Sequence, residues 1–251
     1  MTTWIWQQEE WPNFRYTSKA LVDLEQRFLQ NAGYLLGAYK HISAADQEQL
    51  KIDLVSEEAI ETSAIEGEIL DRASVQSSLR RNFGLASDNK RIPPSEQGIS
   101  YIMVDLYKNF AAPLTHDTLF DWHLNLMNSR ADLNFIGNYR QHADPMQIIS
   151  GAAAKLKVHY EAPPSGRMPE EMGRYVQWFN TSAALPALTR AGIAHLYFEL
   201  IHPFEDGNGR IGRAIAEKSI SQSIKEPLLL ASSKIIQKTK KQYYAALAAN
   251  N

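Results

Sequence analysis

A chain of 251 residues, 44% hydrophobic and 22% charged, has ordinary globular composition, which excludes a disordered or fibrous protein. Its 26 basic and 28 acidic residues give a net charge of −2, with no excess of positive charge for a nucleic-acid backbone, so any anion site has to be local. The absence of cysteine excludes disulfides, thiolate nucleophiles and Cys-ligated zinc, and fits a reducing cytoplasm.

Trp4, Trp6, Trp11, Phe14 and Tyr16 crowd around Pro12, which predicts an arm pressed onto the body by buried aromatics. The opening MTTWIWQQEEWP lacks the basic flank and apolar core of a signal peptide. No later window reaches the roughly 18 apolar residues of a membrane span. The expectation is a soluble, cytoplasmic protein that does not touch a membrane.

From Thr17 to about Tyr39, apolar residues such as Leu21, Leu24, Phe28 and Leu35 recur at helical spacing. A second helix is expected from Ala44 to about Glu61, leading into Thr62-Ser63-Ala64-Ile65-Glu66-Gly67, and a third from Leu70 to Phe83, closed by Gly84. The polar, two-proline stretch Ala86 to Glu96 reads as an exposed loop. It separates an N-terminal arm and helical region, 1–84, from a core domain, 85–251. Helical patterns resume over Gly98 to Phe110, Thr115 to Asn128, Pro169 to Asn180 and Leu188 to His202. Gln147-Ile148-Ile149 and Leu156-Lys157-Val158-His159-Tyr160 flank the small residues Ser150 to Ala154, the pattern of a two-stranded flap. The tail from Ser232 to Leu247 reads as one helix that stops without a cap, which suggests that the natural protein continues. The fold class is therefore mainly α, a helical bundle carrying a short β-hairpin flap.

The chemistry concentrates in His202-Pro203-Phe204-Glu205-Asp206-Gly207-Asn208-Gly209-Arg210-Ile211-Gly212-Arg213. An apolar helix ends at Ile201 and Pro203 stops it, while Gly207 and Gly209 free the backbone for positive φ. Several N–H groups can then face one way at the start of the next helix, which makes an anion cradle. Arg210 and Arg213 share that helix's first turn and suit a polyphosphate. Asp206 offers a hard oxygen to a magnesium ion that also bridges phosphates, and His202 is the one group in the turn whose ordinary pKa is near neutrality, so it can accept a hydroxyl proton. The Gly-Lys-Ser/Thr ending of a Walker loop is missing.

This segment resembles the signature of the Fic family, whose members transfer AMP from ATP to protein hydroxyls. The resemblance implies a Fic-fold helical bundle, with His202 as base and Asp206 as the Mg2+ ligand. Gly207, Asn208 and Gly209 would hold the α-phosphate region, and Arg210 and Arg213 the β- and γ-phosphates. The loop reads GNGR without a Lys at its second glycine, as in AMP-transferring rather than Doc-like members. Gly137-Asn138-Tyr139-Arg140, the flap and Pro163-Pro164 also resemble the family pattern. The flap's Gln147, Ile148, Val158 and His159 would dock an extended target segment by strand pairing; a plain surface hairpin is the alternative. Lys241-Gln242-Tyr243-Tyr244 resembles the helix that lines the nucleoside pocket, although adjacent tyrosines point about 100° apart, so at most one stacks fully and core packing competes.

Thr62-Ser63-Ala64-Ile65-Glu66-Gly67 resembles the family's inhibitory motif. It implies that Glu66 pairs with Arg213 and takes the guanidinium meant for the γ-phosphate; the competing reading is a helix end in an acidic run with Glu68 and Asp71. WIWQQEEWPNFRY resembles an arm found ahead of the core in some members. The chain stops at Asn251 before any winged-helix pattern, which argues against nucleic-acid binding. The expected partner is a target protein, with self-modification and homodimerisation compatible with the resemblance. Two alternatives to transfer stay open: removal of AMP from a modified protein, and a non-catalytic nucleotide-binding module.

Overall fold

The computed structural model describes residues 3–86, 90–150, 157–227 and 230–250. Ten α-helices among these residues follow in chain order: α1 (Ser18–His41), α2 (Ala44–Ile65), α3 (Arg72–Asn82), α4 (Pro94–Asn109), α5 (His116–Met127), α6 (Met168–Thr181), α7 (Ala187–Ile201), α8 (Asn208–Ile224), α9 (Ser232–Lys238) and α10 (Lys240–Ala248). Two strands, β1 (Gln147–Ser150) and β2 (Lys157–Glu161), pair antiparallel. The mainly helical architecture with one hairpin is as expected; the hairpin's tip, within the stretch Ser150 to Ala154, lies outside the described residues from 151 onward.

α7 and α8 pack against each other at the centre. Their sequences explain it: α7 buries Ala191, Ala194, Tyr197, Phe198, Leu200 and Ile201 around most of its axis, as a central helix must. α2 lies against α3, α4, α8 and α9, so the helix that ends at the Glu66 motif touches the one that carries the arginines. Ser43 caps α2 by accepting from Asp46 N–H, and Asp71 caps α3 by accepting from Ser74 N–H. The arm packs through Trp11, which sits edge-on to Tyr197 at 5.1 Å and donates its ring N–H to Glu171 at 3.0 Å, with Trp4, Trp6 and Phe14 half-buried. Tyr16, expected among the buried aromatics, is exposed, because it leads into the solvent-facing first turn of α1.

Three boundaries differ from the sequence pattern. α4 starts at Pro94 rather than Gly98, because proline suits a helix's first position, where no N–H is needed. α8 starts at Asn208, directly after Gly207 and ahead of the helical pattern that the residues from Ile211 to Ser223 carry. The expected tail helix is broken at Thr239, whose φ of −111° leaves helical geometry between α9 and α10; no glycine or proline marks the break.

Candidate functional site

The turn between α7 and α8 is held in a costly backbone conformation. His202 itself has φ 51°, a region that a residue with a Cβ resists, and Gly207 has φ 81°. Buried Arg140 fixes the first of these: its Nε donates to His202 O at 2.8 Å, its Nη2 to Pro163 O at 2.6 Å, and its backbone N–H to Pro203 O at 2.9 Å. The Asn208 side chain is used inside the turn, accepting from Phe204 N–H and donating to Phe204 O, both at 2.9 Å. What Asn208 presents outward is its backbone amide. The amides of Asn208, Gly209 and Arg210 precede the first helical bond of α8, Ile211 N–H to Gly207 O at 3.1 Å, and so lie at the helix start where an anion could be bound.

Beside this turn lies a cleft of about 600 Å³, a normal size for a small-molecule site. His202, Asp206, Gly207, Asn208 and Gly209 line it, together with Glu66, Glu199, Tyr243, Tyr244 and the flap residues Ile148 and His159. Arg210 instead lines an adjoining polar cavity of about 370 Å³ that shares Asp206 and Glu66 with the cleft. Gln147 and Val158 line neither; Gln147 donates to the Glu161 carboxylate at 2.7 Å, and Val158 is exposed.

Burial pushes the His202 imidazole down to about 4, so the ring is a neutral base at physiological pH. Its Nδ1 lies 3.3 Å from Glu199 O; a proton held there leaves Nε2 with a free lone pair. The Glu199 carboxyl, 3.9 Å from the same nitrogen, is pushed up to about 8 by burial. Asp206 accepts from Gly207 N–H at 2.6 Å and pairs with Arg130 at 2.5 Å. His123 sets the position of its backbone: Nδ1 accepts from Gly137 N–H at 2.9 Å, which leaves Nε2–H to donate to Asp206 O at 3.2 Å. Neither Arg130 nor His123 was picked out from sequence, since each meets the turn from about 80 residues away.

The arginines are already engaged. Arg213, 4% exposed, pairs with Glu66 at 2.8 Å and donates to the Thr62 hydroxyl and carbonyl at 2.7 and 2.9 Å. Arg210 pairs with Glu68 at 2.5 Å. A Cβ on Gly209 would fall 2.2 Å from Glu66 Oε1, so the Glu66 carboxylate lies directly over the cradle. Glu68, which the sequence pattern left in an acidic run, thus faces an arginine. Asp71, from the same run, caps α3 and pairs with Lys90 at 3.2 Å, away from both arginines. The two tyrosines divide as their spacing requires: Tyr243 OH meets His195 Nε2 at 2.7 Å in the wall, while Tyr244 is 42% exposed.

Residues 4–85 match the model of a domain of unknown function, DUF4172, and residues 113–219 that of the Fic/DOC family. A protein adenylyltransferase fic-1 of Caenorhabditis briggsae is 34% identical over 84 residues, 33% of this chain and 16% of the relative. The protein adenylyltransferase Fic of Drosophila ananassae is 23% identical over 247 residues, 94% of this chain and 46% of the relative. The chain thus spans less than half the length of these curated relatives. Among solved structures, a Fic family protein from Desulfovibrio desulfuricans G20 superposes with a TM-score of 0.65 at 26% identity, covering 95% of this chain and 68% of that one. Fic-1 of C. elegans, residues 134–508, gives 0.64 at 22% identity, covering 93% and 67%.

Proposed function

We propose that this chain, which carries a Fic/DOC family domain over residues 113–219, is a protein adenylyltransferase held in check by its own N-terminal region. The observation that carries this reading is the convergence of a neutral imidazole, an anion cradle and a carboxylate on one cleft: His202, Gly207 to Gly209, and Asp206. His202 Nε2 takes the proton of a Ser, Thr or Tyr hydroxyl on the target as its oxygen attacks the α-phosphorus of ATP. The new P–O bond joins AMP to the protein, the bond to the β-phosphate oxygen breaks, and pyrophosphate leaves with the electron pair. The α8 amides stabilise the charge on the α-phosphate, and Arg210 and Arg213 hold the outer phosphates. Tyr243 and Tyr244, with Leu196 and Leu247, form the apolar end suited to the base.

Magnesium fits Asp206. The ion takes one or two carboxylates plus phosphate oxygens and water rather than a cage of protein ligands. Among the described residues no cluster of three or more His, Asp or Glu could hold a metal without such help. The ion would neutralise phosphate charge, and Arg130 has to release Asp206 for it. The flap residues Ile148 and His159 lie on the cleft wall, where a docked target segment would bring its hydroxyl to His202. In this reading residues 1–84 regulate and residues 85–251 transfer. Target docking, self-modification, homodimerisation and a cytoplasmic setting belong to the same proposal. Among the described residues no helix is long and apolar enough to cross a membrane.

Glu66 is the brake. While its carboxylate holds Arg213 over the cradle, the γ-phosphate has no guanidinium and ATP cannot present its α-phosphate in line. One observation favours a second reading: Glu66 lines the same cleft as His202, where it could instead direct a water onto an AMP-modified hydroxyl. Intact mass after incubation with ATP and magnesium separates the two. The expected outcome is one added AMP unit on Glu66→Gly, far less on wild type, and none on Glu66→Gly/His202→Ala. Equal labelling of wild type and Glu66→Gly would remove the brake, and loss of AMP removal from a modified protein in Glu66→Gly would favour the reverse reaction.

A further inference from the structure

The first residues of the N-terminal arm reach the flap, 155 residues away in sequence. Trp6 Nε1 donates to the backbone carbonyl of Glu161 at 2.7 Å. The neighbouring Trp4 ring lies edge-on to Tyr160 at 5.6 Å. The Arg167 guanidinium sits over the Trp6 ring at 5.4 Å and holds the indole in place. Tyr160 is buried, and its hydroxyl donates to Leu200 O at 2.7 Å, two residues before His202. The arm therefore clamps β2, and β2 is tied to the catalytic turn.

The hairpin register shows which edge the clamp closes. Ala162 N–H bonds to Met146 O at 2.9 Å, and the next pairs in the ladder are Gln147 with Glu161 and Ile148 with Tyr160. In an antiparallel pair, residues alternate between those that bond across the ladder and those whose N–H and C=O point outward. Gln147 and Glu161 are outward-facing by this count. The carbonyl that Trp6 covers thus belongs to the outer edge of β2. The matching outward groups of β1, at Gln147, lie on the opposite side of the hairpin, next to Ile148, whose side chain is exposed and lines the cleft.

We propose that the aromatic arm is a positioning element for target recognition. Trp6 covers the outward carbonyl of β2 and Trp4 braces Tyr160, which together fix the hairpin against the His202 turn, so an extended segment of a target protein adds as a strand to β1 rather than to β2. This rests on the transfer reading above and gives the first part of the DUF4172 region a task distinct from that of Glu66. Strand addition recognises backbone, so the partner is any protein with an exposed extended segment carrying a hydroxyl side chain. The arm selects where that hydroxyl arrives.

The test uses the full chain in the Glu66→Gly background with labelled ATP and magnesium, reading two products: AMP bound to protein, in the enzyme alone and in a cell lysate, and AMP released to water. Trp6→Phe removes the N–H and shrinks the indole to a phenyl ring, whereas Trp6→Ala removes the aromatic ring altogether. Protein-bound AMP is expected to fall severalfold in the first and about tenfold in the second, as expected when a reacting group is misplaced. AMP released to water and the KM for ATP stay within about twofold, because nothing at the cradle changes. If both products fall together, or neither does, the positioning role is wrong. Should the Glu66→Gly parent form neither product, the transfer reading fails by itself. Amide exchange then judges the arm: residues 147–150 and 157–161 should exchange at least about threefold faster in Trp6→Ala, and unchanged exchange overturns the clamp.

Discussion

The turn proposed to carry the chemistry and the loop that faces it are built in opposite ways. From His202 to Arg213 the polar groups are locked by backbone bonds, buried side chains and positive-φ positions: Arg140 on the carbonyls, Asn208 on Phe204, His123 on Asp206. The opposing Glu66-Gly67-Glu68 segment reaches that turn through two ion pairs, and the glutamates are each about one-third exposed. Ion pairs whose carboxylates are partly exposed to water are screened and can open, while a backbone turn cannot be altered without strain. The difference teaches that the geometry of the turn is fixed and the contact laid over it removable, as the proposed transfer and its brake require.

The strongest way to break that comparison is to alter the turn itself. In Gly207→Ala the new Cβ would meet Met127 Cε at 2.5 Å and Leu126 Cδ2 at 3.2 Å, at a φ of 81°. Left-handed backbone costs a non-glycine residue about 1–2 kcal/mol, and crowding a packed site costs more. We expect a Tm at least about 4 °C lower, given about 2–4 °C per kcal/mol for a chain of this size, and a transfer rate in the Glu66→Gly background reduced at least about 100-fold. Circular dichroism and mass labelling measure both; a variant that melts normally and still transfers would show that the turn is not as fixed as described. By contrast, Glu66→Gly should lower the Tm by less than Gly207→Ala, because the buried Arg213 keeps its two bonds to Thr62 and the lost carboxylate is partly exposed.

A smaller effect is expected at Glu68. Its pair with Arg210 is partly exposed, so removing it is worth about 0.2–1 kcal/mol. Glu68→Gln in the Glu66→Gly background should therefore lower the KM for ATP by no more than about fivefold, with kcat unchanged. The gain should shrink as salt rises, because screening already weakens the pair. An unchanged KM at low salt would leave Glu66 as the sole restraint.

Glu68 also marks where sequence stops being informative. The 202–213 segment could be read because its chemistry is contiguous, and Glu66 because it stands in a motif that accompanies that segment. Glu68 and Arg210 are 142 positions apart, and Arg130 and Asp206 are 76 apart. Nothing local to either partner announces the meeting. Helices with strong periodicity were read to within a few residues, but the break at Thr239 lacks a glycine or proline to signal it. Trp4 and Trp6 were read as packing residues, and the register that gives them an edge to cover exists only once β1 and β2 pair.

The least effect, and the sharpest test of what keeps the facing loop in place, lies beneath the ion pairs. Glu58 of α2 and Glu217 of α8 are both buried and share a hydrogen bond, with Ser233 at the start of α9 donating its N–H to Glu58 at 2.8 Å. Burial raises both carboxyls above their ordinary range. A carboxyl raised in the folded state favours folding at low pH; as pH climbs past the unfolded value near 4.5 the unfolded chain releases its proton, the folded one keeps it, and stability falls. Glu217→Gln keeps a donor to Glu58 and removes that penalty. Its Tm should match wild type near pH 5 and exceed it by about 2–4 °C at pH 8, the shift expected for about 1 kcal/mol. A gap that is the same at both pH values would mean that no retained proton links the two helices. A gap that widens with pH would mean that α2 is fastened to α8 by this buried pair, so the Glu66 and Glu68 contacts can open while their helix stays docked.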